Sequence, residues 1–89
     1  MSEKQPDIRR NILSAHITQA QITPSALALE IGVHAATLSR FLGDPNAGIG
    51  AKAALRIDEW MRERDYYIPG RPTPKAINML ARYGGGHVG

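Results

Sequence analysis

A chain of 89 residues is shorter than an average domain, which excludes a barrel enzyme, a large nucleotide-binding α/β fold and a second full domain. Its 43% hydrophobic and 21% charged residues suit one small core, while the absence of cysteine excludes disulfides, thiolate zinc sites and a cysteine nucleophile. The net charge of +3 points modestly to a polyanionic partner, and the polar start MSEKQPDIRRN, with no long apolar run, predicts a cytoplasmic chain without a membrane span.

A chain this short buries only about 60 to 65% of its unfolded surface, so function is expected on the outside. Charge is unevenly spread. Residues 1–48 balance four bases against four acids, whereas 66–89 hold Arg71, Lys75 and Arg82 with no acid.

Glycine and proline divide the chain into blocks with helical rather than strand periods. The first block, Asp7 to about Ala20, spaces Ile8, Ile12 and Ala15 by fours and threes, with Leu13 and Ile17 beside them. Thr23 followed by Pro24 predicts a second helix start, since the Thr oxygen caps free amides and proline at the first helical position gives up no needed hydrogen bond. Gly32 ends it. A third helix is expected from His34 to Leu42, stopping at Gly43 before the turn-rich DPNAGIG. The fourth, from about Gly50 to Asp65, stripes Ile49, Ala53, Ile57 and Trp60 or Met61, with Asp58 and Arg62 as an i,i+4 ion pair. Residues 66–72 read as a break. Thr73 and Pro74 then repeat the start signal for a short fifth helix to about Tyr83, and Gly84, Gly85 and Gly86 open a tail.

The informative stretch is TPSALALEIGVHAATLSRFLG, from Thr23 to Gly43. Two short helices can cross steeply over so few turn residues only if one position takes positive φ cheaply, which suits Gly32. Ala28 supplies a small residue for the crossing, flanked by Leu27 and Ile31. On the following helix Leu38, Phe41 and Leu42 share one face, while Ala36, Ser39 and Arg40 share the other. That outer face is narrow and polar, fitting a major groove about 12 Å wide in which arginine can bond guanine O6 and N7.

At these residues the chain resembles the lambda-repressor-like helix-turn-helix family, the phage Cro and repressor type also called Xre-like, over roughly Ile12 to Met61. Leu27 and Ala28 match the family's "LA" pair, Gly32 its turn glycine, Val33 the apolar residue after it, and Leu38 and Leu42 its buried recognition-helix positions. The resemblance implies an all-α, compact four- to five-helix bundle over residues 1–65 that regulates transcription, as a repressor of phage or bacterial type. It further implies that His34, Ala35, Ala36, Ser39 and Arg40 meet base edges of double-stranded DNA, and that Ser25, Asn46 and Lys52 meet phosphates. The chain departs from the family at His34, where a Ser or Thr cap is common. Ala35 and Ala36 replace the usual glutamines or serines, leaving base reading to Arg40 and Ser39 and to DNA shape.

Residues 66–83 read as a linker and a short helix, and 84–89 as a Gly-rich tail. The fifth helix has a broad apolar arc of Ala76, Ile77, Met79, Leu80, Ala81 and Tyr83. The family commonly binds inverted-repeat operators as a homodimer, so Tyr66, Tyr67, Ile77, Leu80 and Tyr83 are candidate subunit contacts; packing under the first helix is the alternative. Arg71, Lys75 and Arg82 form an accessory basic strip suited to a phosphate backbone or simply to solvent. No enzyme is expected, since His16, His34 and His87 fall on separate elements and GGGHVG is no phosphate loop. No metal or cofactor is expected either. The competing function is an antitoxin-like module that grips a protein partner, with exposed Leu29 and the apolar arc as its surface and DNA binding kept for autoregulation.

Overall fold

The Thr-Pro pairs at 23–24 and 73–74 each begin a helix, and the Thr hydroxyls accept from the Ala26 and Ala76 amides at 3.1 and 3.2 Å. The computed structural model describes residues 8–69 and 71–83. Among them are α1 (Ile8–Ala20), α2 (Pro24–Ile31), α3 (Ala35–Gly43), α4 (Ala51–Glu63) and α5 (Pro74–Tyr83). The expected start at Asp7 and the tail at 84–89 lie outside the described residues.

Helix ends are set by more than glycine. Gly32 closes α2 in the left-handed region at φ +93°, as expected, but Gln21 and Asp65 take positive φ of 58° and 63° just past α1 and α4. Gly43, expected to stop α3, is its last helical residue. The stop falls at Asp44, extended at φ −124°, because the following proline disfavours helical backbone there. The Asp44 carboxylate then accepts from the Asn46 amide at 2.9 Å, fixing the turn. The expected break at 66–72 contains a two-stranded hairpin, β1 (Tyr67–Ile68) and β2 (Arg71–Pro72), paired antiparallel with Tyr67 opposite Pro72. Two residues per strand are too few for a period-2 pattern to register in sequence.

The core joins Ile12, Leu13 and Ala15 of α1 to Leu27, Ala28 and Ile31 of α2, Leu38 and Phe41 of α3, and Ile57, Trp60 and Met61 of α4. Tyr66, Ala76 and Met79 belong to the same cluster. Tyr66 and α5 are therefore part of the packed body, and α5 lies mainly against α1. Asp58 meets Arg9 of α1 at 3.7 Å rather than Arg62 one turn along its own helix, so this charge ties two helices together.

Two polar residues, His16 and Thr73, are buried among the described residues. His16 is buried, its Nδ1 hydrogen-bonded to the Tyr66 hydroxyl at 2.9 Å and its ring edge-on to Trp60 at 4.9 Å between centroids. Trp60 Nε1 donates to the Glu30 carboxylate at 2.9 Å, and Arg64 donates to the same oxygen. This chain of contacts links α1, α2, α4 and the approach to the hairpin.

Ala28 is 1% exposed and α2 packs closely on α3. Ala28→Leu is expected to lower unfolding free energy by about 1 to 3 kcal/mol through overpacking, measured by urea denaturation. An unchanged midpoint would show that the helices do not need a small residue there.

Candidate nucleic-acid interface

The outward surface of α3 follows from which of its residues the core takes. Leu38 and Phe41 are buried and Leu42 is half-buried, leaving Ala35, Ala36, Ser39 and Arg40 exposed together with His34 just before the helix. All five residues assigned to base reading are thus accessible. His34 makes no side-chain cap, so its imidazole is not committed to the helix start.

Both ends of α3 are held. At the beginning, the amides of Gly32 and Val33 donate to the Ala28 carbonyl at 2.8 and 3.0 Å, closing the turn out of α2. At the far end, Arg10 of α1 donates through Nε to the Phe41 carbonyl at 2.6 Å, and through Nη2 to the Ala47 and Asp44 carbonyls at 3.0 and 3.3 Å. Its guanidinium also lies 4.6 Å from the Phe41 ring centroid. A cation at the C-terminal end of a helix meets the negative end of the backbone dipole. Arg10 therefore fixes both the exit from α3 and the loop after it.

Two depressions flank Thr37 on the α4 side of α3. One, of about 160 Å³, is lined by Gly32, Val33, His34, Thr37, Lys52 and Arg56 among others. The second, of about 240 Å³, is lined by Ala36, Thr37, Arg40 and the loop Gly48, Ile49 and Gly50. Lys52 and Arg40 thus line separate depressions that share Thr37. Ser25, exposed in the first turn of α2, and Asn46, exposed in the loop, line neither depression.

The basic side chains divide into two groups. Arg9, Arg10, Arg64 and Lys75 are engaged within the fold, by Asp58, by carbonyls of α3 and its loop, by Glu30, and by the Arg64 carbonyl respectively. The side chains of Arg40, Lys52 and Arg56, like those of Arg62, Arg71 and Arg82, have no hydrogen bond or ion pair with any described residue. Three uncommitted cations therefore border the exposed face of α3.

The C-terminal candidates do not share one open surface. Tyr66, a candidate subunit contact, is only 4% exposed because its ring fills the core beside His16 and Trp60, so it is withdrawn from that role. Tyr67 is half-buried beside Leu55, Asp58, Arg62 and Pro69, apart from α5. Ile77 and Tyr83 remain open at 52% and 38% exposure, with half-buried Leu80 on the same helix. Lys75 and Arg82 border a groove of about 710 Å³ with Gln19 and Tyr83, but Arg71 does not line it. Lys75 also donates to the Arg64 carbonyl at 2.8 Å and sits over the Tyr66 ring, so the basic strip is not one continuous free surface.

Arg10, Thr37 and Arg56 are absent from the assignments made on sequence. Arg56 had a usable signal, its spacing of four from Lys52. Arg10 had none, since its partners are 31 to 37 residues away. Among the described residues no group of three His, Cys, Asp or Glu could hold a metal ion, and no helix is long and apolar enough to cross a membrane. No protein-family model matches this chain, and no curated protein or solved structure matches it.

Proposed function

We propose that this chain is a sequence-specific DNA-binding regulator in which α2 and α3 act as a helix-turn-helix and α3 enters the major groove. The observation that carries this reading is the exposed, small and polar face of α3 bordered by the uncommitted cations Arg40, Lys52 and Arg56. Small residues at 35 and 36 permit close approach to base edges, and Arg40 is the side chain best suited to a bidentate guanine contact. Discrimination is then concentrated at few base positions, with groove shape supplying the rest.

Two copies of the chain, joined through Ile77, Leu80 and Tyr83 of α5, would read an inverted repeat. Selection from random duplexes should recover half-sites with centres about 34 Å apart. Arg40→Ala is expected to cost about 1 to 3 kcal/mol at one base position, while Lys52→Ala weakens all sequences alike and lowers the salt slope by about 1. Unchanged titrations for both variants would remove the assignment.

The 84% exposure of Leu29 favours a second reading, an antitoxin-like module whose main duty is a protein partner. Size-exclusion of the chain alone separates the two. A discrete dimer that binds duplex supports the regulator, and aggregation relieved only by another protein supports the module.

A further inference from the structure

We infer that the groove between the end of α1 and α5 docks an acidic segment of a partner protein, held in the polyproline II conformation with two carboxylates three residues apart. The groove, of about 710 Å³, is lined by Gln19 from α1 and by Lys75, Asn78 and Arg82 from α5. At 100° per residue those three α5 side chains fall within an arc of about 60°, so they form one stripe along the groove. Its charge is of one sign, since no acidic side chain lines it and residues 66–89 contain none. Arg82 has no hydrogen bond or ion pair with a described residue. Lys75 spends one donor on the neutral Arg64 carbonyl, which leaves its charge uncompensated and two N–H groups to give.

The spacing of the cations selects the occupant. Lys75 and Arg82 are seven residues apart, about 10 Å along the helix axis. Residues i and i+3 of a polyproline II segment lie on one side of it and about 9 Å apart, whereas side chains three apart on a β-strand point to opposite faces. Such a segment has no internal hydrogen bonds, so its N–H and C=O groups are open to other partners. Gln19 and Asn78, both exposed at the groove, each bring an amide that can donate and accept. Met79 and the rings of Tyr66 and Tyr83 complete the lining and suit proline, as aromatic grooves do. Duplex DNA fits less well, because a phosphate backbone uses the cations and amides but not the rings. Ile77 and Leu80 fall outside the stripe, so pairing of two copies through them leaves the groove open. The inference rests on neither functional reading above.

The test titrates the full chain into labelled octapeptides and follows fluorescence anisotropy. GSEPPESG should bind saturably, and both GSQPPQSG, without carboxylates, and GSPEEPSG, with adjacent ones, should bind more weakly. Arg82→Gln should weaken GSEPPESG by about three- to fivefold and flatten its salt dependence. Asn78→Ala should weaken it with the salt dependence kept, a split that a purely structural role would not produce. Both positions are exposed, so thermal unfolding of the two variants should match wild type. No saturation below about 1 mM, equal affinity for GSQPPQSG, or an unchanged titration for Arg82→Gln overturns the docking site, and equal affinity for GSPEEPSG overturns the spacing. An Arg82→Gln chain that loses duplex affinity yet keeps its peptide titration assigns the groove to nucleic acid instead.

Discussion

Phe41→Ala is expected to destabilise the chain by about 3 to 5 kcal/mol. Phe41 is 1% exposed in the cluster shared by all five helices, and its ring also underlies the Arg10 guanidinium. A chain of 89 residues has a total stability of only about 4 to 13 kcal/mol. The variant should therefore unfold at far lower urea concentration than wild type, or be largely unfolded in buffer. Arg10→Met separates the ring's two roles. It preserves the apolar stem but removes three charge-assisted hydrogen bonds, with an expected loss of about 1.5 to 3 kcal/mol. Because those bonds end on Phe41, Asp44 and Ala47, amide exchange should quicken first at the end of α3 and in its loop. A Phe41→Ala midpoint within about 0.5 kcal/mol of wild type would mean that α3 is not anchored through this ring.

How much of this was legible in advance depends on the range of the forces involved. The Thr-Pro starts, the Gly32 turn and the apolar faces of α3 and α4 are local, so five helices and most of their core could be read from spacing. The exposed positions Ala36, Ser39 and Arg40 followed from the same wheel that buried Leu38 and Phe41, whereas His34 and Ala35 were expected only from the resemblance. The left-handed ending at Gln21 was hidden because glutamine seldom takes positive φ, whereas Asp65 belongs to a residue type enriched there and was overlooked as part of the helix. Tyr66 was misplaced because nothing near it in sequence reveals that its hydroxyl meets His16, 50 residues away. The Arg10 clamp was hidden for the same reason. What escaped is the set of long-range polar contacts, which fix how α3 is presented.

The His16 cluster makes stability depend on acid in two separable steps. Burial, helped by the nearby positive charge of Arg64 and opposed by Glu30, holds the His16 imidazole below its ordinary value of 6.5. The unfolded chain therefore takes up this proton at higher pH than the folded chain does. Stability from neutral His16 is complete above about pH 6.5 and is lost as pH falls toward the folded value, at no more than about 1.4 kcal/mol per pH unit. Glu30 adds a lower window. Its bond from Trp60, then its contacts with Arg64, hold its carboxyl below the ordinary value of 4.5 against the opposing effect of burial. Its contribution persists above the unfolded value and fades only as pH falls through the folded one. Urea unfolding between pH 8 and 3.5 should show both losses, and His16→Phe should abolish the upper one while retaining the lower. The substitution sacrifices the Tyr66 hydrogen bond at every pH, so the diagnostic quantity is the slope between about pH 6.5 and 5 rather than the absolute midpoint. A variant that keeps the wild-type slope there would assign the loss to another group. The consequence reaches the candidate interface, because α1 carries both His16 and Arg10, and a charge forced among Trp60, Tyr66 and Arg64 loosens the helix that holds the end of α3.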